Sequence, residues 1–254
     1  MSNKTVLVMA LLASSLSTQA AVITDAYIGG NDHGRGDVIG HQSDFDINSM
    51  DVNLNGTVLT VSIDTTFAGK AGTIAPGLTN GLGIGYGDLF LSSQWTPNGT
   101  AADQYLHDNA ATGTVWTYGF SLDNRFRTGL GMGAGTLYSL NSANNDSDAL
   151  LAEDFLTGGI FRNGQEVAVD TASAGVNALA NDGSWNVTAN TVDFTIDLAN
   201  TGLLSGNEIA LHWGFTCQND VIEGVGVSAV PLPPAFWLFA CGLIGLVGVS
   251  RRKV

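Results

Sequence analysis

Cysteine and basic residues are scarce in this sequence of 254 residues. The two cysteines, Cys217 and Cys241, are too few for the disulfide framework that stabilises small secreted domains. Lysine and arginine number 9 against 23 aspartates and glutamates, and the formal net charge is −14. Nucleic acid and anionic lipid repel such a chain, so a neutral partner, a cationic partner or a metal ion is expected.

The charge is also spread unevenly along the chain. All 23 acidic residues lie between Asp25 and Glu223, whereas 4 of the 9 basic residues lie at the two ends, as Lys4, Arg251, Arg252 and Lys253. The region between the ends therefore holds 23 acids against 5 bases (9 − 4), a net charge of −18 (5 − 23). High negative charge of this kind also serves solubility alone.

Long helical periodicity is missing, and only residues 147–155 could form about two helical turns. Alternation of apolar and polar residues is frequent instead. It flanks Asn55-Gly56, a dipeptide typical of β-hairpins, and a second such dipeptide is Asn163-Gly164. Further alternating runs cover residues 115–122, 192–198 and 209–217.

These features predict an all-β fold, a single jelly-roll-like β-sandwich over residues 21–229. The glycine clusters at 81–87 and 129–135 are interpreted as loops within this domain. In the run 209–217, a period of two places Cys217 on the apolar face as a buried thiol. His212 is on the opposite face, so the two residues do not form a nucleophile and base pair.

The N-terminal segment has the three parts of a secretory signal. Lys4 precedes an apolar run over residues 6–13, and small polar residues follow up to Ala20. This order predicts a signal peptide over residues 1–20, cleaved between Ala20 and Ala21. The body of the protein is therefore expected outside the cytoplasm.

The C-terminal segment is apolar and ends in positive charge. Residues 235–250 would span about 24 Å as a helix, and three consecutive cations follow: Arg251, Arg252 and Lys253. Cations beside a membrane segment remain on the cytoplasmic side. The segment therefore predicts a transmembrane helix whose basic end stops transfer.

The proline motif Val230-Pro231-Leu232-Pro233, the apolar segment and the basic end together resemble the PEP-CTERM sorting signal of Gram-negative bacteria. The motif here is the VPLP variant, without the glutamate that names the family. The resemblance implies recognition of residues 230–254 by an exosortase, a membrane transpeptidase that cuts near the prolines. It further implies release or attachment of the body at the cell surface or in the extracellular matrix.

Four aspartates stand close together in a glycine-rich stretch, namely Asp32, Asp37, Asp44 and Asp46. Oxygen ligands on a flexible loop are what calcium requires, so a calcium site is one interpretation. An ordinary solvated turn region is the other, because aspartate and glycine both favour turns.

No catalytic motif appears, since the chain lacks a G-x-S-x-G elbow, an H-E-x-x-H helix and a phosphate-binding loop. We therefore expect a non-catalytic exported protein that associates with the surface or with extracellular polysaccharide. Two alternatives stay open: a secreted glycan-active hydrolase, since paired carboxylates leave no local motif, and an unprocessed single-pass membrane protein. The aromatic residues Trp95, Trp116, Tyr118 and Trp185 suit a sandwich core or a sugar-binding face.

Overall fold

The computed structural model describes residues 18–30 and 34–228, and this part of the chain is mostly β-structure, as predicted. Helices are short: α1 (Gln42–Phe45), α2 (Ala152–Phe155) and three turns of 3-10 helix, Pro76–Leu78, Asn145–Ser147 and Leu203–Ser205. Within the described ranges, no helix has the length and apolar character needed to cross a membrane. The strands are β1 (Thr18–Thr24), β2 (Ile47–Asn55), β3 (Val58–Thr65), β4 (Leu89–Ser92), β5 (Tyr118–Leu122), β6 (Gly131–Leu140), β7 (Ala149–Leu151), β8 (Glu166–Val169), β9 (Val176–Val187), β10 (Thr191–Asp197), β11 (Glu208–Gly214) and β12 (Val221–Ser228).

Ten of these strands form one antiparallel sheet in the order β1-β2-β3-β10-β9-β6-β5-β4-β11-β12, and β7 pairs with β8 separately. The sheet curls until its two edge strands, β1 and β12, lie side by side. We call the line along which they meet the seam. A Cβ atom at Gly224 of β12 would lie 2.9 Å from Cγ2 of Ile23 in β1, which shows how closely the edges approach. The fold is therefore sandwich-like or barrel-like and nearly closed.

The main core fills the inside of the curled sheet. Strand β3 shows regular alternation of buried and less buried residues, as expected for a strand with one wet face. The same holds for β10. Apolar side chains from both halves of the sheet meet in one cluster, which includes Met50, Leu59, Phe120, Trp185, Phe194 and Trp213.

A second, smaller core lies on the other face of β4 and β11. There the β7–β8 pair and the segment 93–117 cover the sheet, so that Phe90, Trp116, Val169 and Ala210 pack together. Strand β4 is consequently buried on both faces. In strand β11, every residue after Glu208 is buried. Because both faces of this strand are covered, its polar residues lie in the interior.

The hairpin predicted around Asn55-Gly56 is confirmed, with its turn one residue later than expected. Asn55 pairs with Val58, so the two-residue loop is Gly56-Thr57. Gly56 has φ of +64°, while Thr57 is not among the residues with positive φ. Positive φ at the first loop residue alone is the pattern of a type II′ turn rather than type I′.

The segment 147–155 is only half helical. Ala149–Leu151 forms β7, and helix α2 then makes a single turn over Ala152–Phe155. Pairing with β8 takes Ala149 and Leu150 out of the helical pattern, because the backbone hydrogen bonds of a strand replace those of a helix turn. Tertiary pairing thus overrides the local preference.

The glycine cluster at 129–135 is not a loop, since most of it belongs to β6. Gly135 of β6 stands opposite Gly183 of β9, and the ring of Phe120 lies against both. A Cβ atom would come within 2.6 Å of the Phe120 ring at either position. Glycine is required here because an aromatic ring covers the backbone, and the sequence pattern of a loop arises from that packing.

We predict that Gly135→Ala lowers the free energy of unfolding by about 1–3 kcal/mol, because the added methyl group displaces the Phe120 ring. Gly158→Ala is the matched control, since its Cβ would have no atom within 4 Å, and it should change stability by less than about 0.5 kcal/mol. Urea unfolding of both variants measures the difference. Equal stability of the two would show that the Phe120 ring does not constrain Gly135.

Candidate functional site

The four aspartates of the predicted calcium loop do not come together as one ligand set within the described residues. Asp32 lies outside those residues. Asp44 forms an ion pair with Lys70, with 3.2 Å between Oδ1 and Nζ. Asp46 lies near enough to Asp37 for its charge to raise the pKa of that residue. Asp37 is the member that joins a closer group of carboxylates.

That group, which we call the aspartate triad, consists of Asp25, Asp37 and Asp220. Each residue offers a carboxylate oxygen, and the three oxygens lie within 4.8 Å of one another. Asp25 directly follows β1, Asp37 lies in the loop before α1, and Asp220 directly precedes β12. The triad therefore sits at one end of the seam, where it joins the edge strands and the loop.

Backbone amides fix Asp220 in place. Its carboxylate accepts hydrogen bonds from the N–H of Ile47 at 2.7 Å and of Val221 at 2.9 Å, and the residue is fully buried. In the part of the chain that the structure describes, four buried side-chain oxygens accept no hydrogen bond. One of them, Asp25 Oδ1, belongs to the triad, and another, Asn219 Oδ1, is next to Asp220 in sequence. Acceptors without donors call for water or a cation.

Arg162 ties the loop beside the triad to the rest of the body. Its guanidinium is fully buried and donates to backbone carbonyls on both sides, among them Gly30 at 2.8 Å, Gly36 at 3.2 Å and Gln218 at 3.0 Å. Burial raises the pKa of Asp25 and Asp37, and the charge of Arg162 opposes that rise only in part. One guanidinium does not neutralise three carboxylates.

The triad consequently holds protons tightly. Burial, together with the charges of Asp37 and Asp46, raises the pKa of Asp25 from 3.8 to about 8. Burial and the charges of Asp25 and Asp37 raise the pKa of Asp220 well above its ordinary value. A divalent cation would replace those protons, because carboxylate oxygens are the ligands that calcium prefers.

A second polar cluster, which we call the histidine cluster, lies in the smaller core. His212 Nδ1 is 3.0 Å from Glu223 Oε2, and its Nε2 is 2.9 Å from the backbone carbonyl of Glu166. A carbonyl only accepts, so Nε2 carries a proton. Glu223 also accepts from the indole of Trp95 at 2.7 Å. Asp108 accepts from the hydroxyl of Tyr27 at 2.7 Å and completes the cluster.

Burial changes the proton affinity of this cluster as well. It raises the pKa of Glu166 from 4.5 to about 7, against the opposing charge of His212. It raises the pKa of Asp108 from 3.8 to about 6, with help from the charge of Glu223. Burial alone would lower the pKa of His212, but the hydrogen bond that the imidazole donates to Glu223 and the charge of Glu166 outweigh it, so that pKa is raised.

Carboxyl groups with raised pKa are candidates for acid catalysis, but these are closed off from solvent. Asp108, Glu166, Glu223 and His212 are each at most 5% exposed. Trp116 and Asn145 cap the Glu166 carboxylate. Hydrogen bonds of the cluster link the covering segments to the sheet, from Trp95 to Glu223 and between His212 and Glu166.

The predicted positions of Cys217 and His212 are confirmed. Cys217 is 1% exposed within the main core, and burial raises the pKa of its thiol to about 12. His212 faces the other core, against the rings of Phe90 and Trp116. A thiol held this strongly in its protonated form is not a nucleophile.

Of the four aromatic residues singled out in the sequence, Trp116 and Trp185 are buried, while Trp95 and Tyr118 are half-buried. The indole of Trp185 donates to Asp123 at 2.9 Å, and that of Trp95 donates to Glu223. Both indoles are thus engaged within the protein, as core residues are.

The sites predicted at the two ends fall mostly outside the described residues. The sorting motif Val230, Pro231, Leu232 and Pro233 and the basic residues Arg251, Arg252 and Lys253 all lie there. Ala20 and Ala21 are described, and both belong to β1, where they pair with Asn53 and Val52. Cleavage between them would leave residues 21–24 of β1 on the body.

Sequence reasoning missed Asp25, Asp108, Glu166, Asp220 and Glu223. A weak signal was available for Glu223, which stands in a run of apolar residues, and for Glu166, which directly precedes one. An acidic residue in such a run is buried by its neighbours and needs a partner. No local pattern marks Asp25 and Asp220, which the fold alone brings together.

No family model matches this chain, and neither a curated protein nor a solved structure resembles it. The function must therefore be argued from the residues themselves.

We predict that the protein is most stable at mildly acidic pH. Groups whose pKa is higher in the folded than in the unfolded protein bind protons on folding, so stability falls as pH rises from the unfolded to the folded pKa. For Glu166 this window runs from 4.5 to about 7, for Asp108 from 3.8 to about 6, and for Asp25 from 3.8 to about 8. His212 acts in the same direction above 6.5.

Glu166→Gln tests this sign, because glutamine imitates the protonated acid. The variant should lose less stability than the wild type between pH 4.5 and 7, a difference on the order of 3 kcal/mol. Denaturant unfolding at several pH values measures it, with the exposed Asp146→Asn as control. Parallel pH profiles for wild type and Glu166→Gln would contradict the assignment.

Proposed function

We propose that this chain is an exported, non-catalytic module of the cell surface or the extracellular polysaccharide, and that calcium holds its body closed. The aspartate triad is the observation that supports the calcium part. Three carboxylates from distant parts of the chain meet at one end of the seam, and neither Asp25 Oδ1 nor Oδ1 of Asn219, the residue before Asp220, accepts a hydrogen bond. Such a set suits a hard divalent cation.

In this proposal calcium crosslinks three segments of the chain. The triad joins the end of β1, the loop before α1 and the start of β12. A cation bound there would hold both edge strands of the sheet and the loop together. Calcium sites of extracellular modules have dissociation constants of about 10⁻⁴ to 10⁻³ M, so in this proposal the triad would bind calcium after export.

The ends of the chain support export and sorting. In this proposal residues 1–20 are a signal peptide, residues 21–229 form a jelly-roll-like β-sandwich, and residues 230–254 are a PEP-CTERM-like tail. The tail holds the chain in the inner membrane until an exosortase cuts it. Arg251, Arg252 and Lys253 keep the last residues on the cytoplasmic side.

We predict that calcium raises the melting temperature of the wild type at pH 8. Calcium at a hundred times its dissociation constant would add about 2.7 kcal/mol. Asp25→Asn should abolish the response, since a neutral amide replaces a ligand carboxylate, and in chelator it should be at least as stable as the wild type. Asp146→Asn should respond like the wild type.

Thermal unfolding in calcium and in chelator, repeated at pH 6 and pH 8, measures these effects. Because bound calcium displaces protons from the triad, the calcium response should be smaller at pH 6. A melting temperature that calcium leaves unchanged, or an Asp25→Asn variant that responds fully, would remove the calcium part of the proposal.

The sorting part has its own prediction. The exported protein should begin at Ala21 and end near Pro233. Replacing Arg251, Arg252 and Lys253 with serine should reduce membrane retention and sorting, while the melting temperature of the body stays unchanged. Intact mass and cell fractionation measure both effects. An exported chain that keeps residues 234–254 would favour the single-pass membrane alternative.

The hydrolase alternative receives no support from the histidine cluster, whose carboxylates are buried. Release of reducing sugar from extracellular polysaccharide by the exported chain would establish that alternative. Binding of polysaccharide without release fits a non-catalytic module.

A further inference from the structure

The outer face of β1, β2, β3, β10 and β9 carries no covering layer within the described residues. It differs in this from the face of β4 and β11, which the β7–β8 pair covers. Three adjoining clefts of about 440, 320 and 340 Å³ run across this face and continue onto β6. The first two clefts share Thr195, and the second and third share Asp182. The three clefts therefore adjoin one another, and we call them together the groove.

Polar side chains line this groove in register. Asn53, Thr60, Thr195 and Ser184 stand opposite one another on four neighbouring strands. Neighbouring strands are about 4.8 Å apart, so the row offers hydroxyl and amide groups at a regular spacing. Groups that both donate and accept suit the hydroxyl groups of a sugar chain.

A second row beside the first contains two aspartates. It runs through Asp51, Ser62, Asp193 and Asn186, again on neighbouring strands. Asp51 and Asp193 are two strands apart, about 10 Å. Asp182, Asp197 and Asp123 also line the groove, and none of its lining residues is lysine, arginine or histidine.

We propose that this groove binds an extended polysaccharide that carries free amino groups. The identification of a polysaccharide rests on the proposed function, whereas the amino groups follow from charge complementarity with the aspartates. Large apolar anchors, which protein interfaces need, are few on this face: its large exposed apolar side chains are Val22, Val58 and Met132, and none is aromatic. Hydroxyl groups of the sugar form hydrogen bonds with the first row, and its ammonium groups form ion pairs with the aspartates of the second row.

The test uses the full-length chain with glucosamine oligomers, and with N-acetylglucosamine oligomers, a lysine-rich peptide and polygalacturonate for comparison. Calorimetric titration should give the tightest binding to the glucosamine oligomers, weakened by added salt, and no binding to the anionic polymer. Asp51→Asn should weaken binding by about fivefold, the effect of one exposed ion pair. The variant should fold normally, since Asp51 is exposed.

Asp146→Asn removes one exposed charge elsewhere and should leave binding unchanged. Thr60→Val with Thr195→Val should weaken binding of both sugar oligomers, because it removes hydroxyl groups of the first row. Equal binding of the amino and N-acetyl oligomers, preference for the peptide, or an Asp51→Asn variant that binds normally would each overturn the inference. An exported chain that fails to bind glucosamine oligomers overturns this inference alone, whereas a chain that keeps residues 1–20 and stays in the cytoplasm overturns the proposed function.

Discussion

Burial of negative charge is the constraint on which this structure depends. Six carboxyl groups are buried in the described part of the chain, those of Asp88, Asp108, Asp148, Glu166, Asp220 and Glu223, against Arg162 and His212 as buried cationic side chains. Some are satisfied locally: Asp88 pairs with Arg125 at 3.0 Å, and Asp148 accepts from the hydroxyls of Ser142 and Ser173. Glu223 accepts from the indole of Trp95 and lies 3.0 Å from His212 Nδ1. Burial raises the pKa of Asp108, Glu166 and Asp220, which favours their protonated form or a bound cation.

Most strands with one solvent-exposed face could be predicted from the sequence, because their apolar and polar residues alternate as their buried and exposed positions do. The hairpin of β2 and β3 and strand β10 are of this kind. Strand β4 could not, since burial on both faces removes alternation. Strand β6 could not be recognised from the sequence for another reason. Its glycines make room for the rings of Phe120 and Trp185, and a glycine-rich segment has the sequence pattern of a loop.

The candidate site was predictable only where its residues are close in sequence. Asp37 stands out because aspartates and glycines surround it. Asp25 and Asp220 are 195 positions apart (220 − 25), and they meet because the edge strands meet at the seam. Knowledge of the strand order is therefore needed before the triad can be recognised, and single-sequence patterns carry little information on strand order.

The seam also bears on how the protein behaves at high concentration. Open strand edges act as templates on which further chains add, and this is a common route to fibres. Because β1 and β12 lie against each other, each edge of the ten-stranded sheet restricts the access of further chains to the other. Loosening the seam would expose both edges at once.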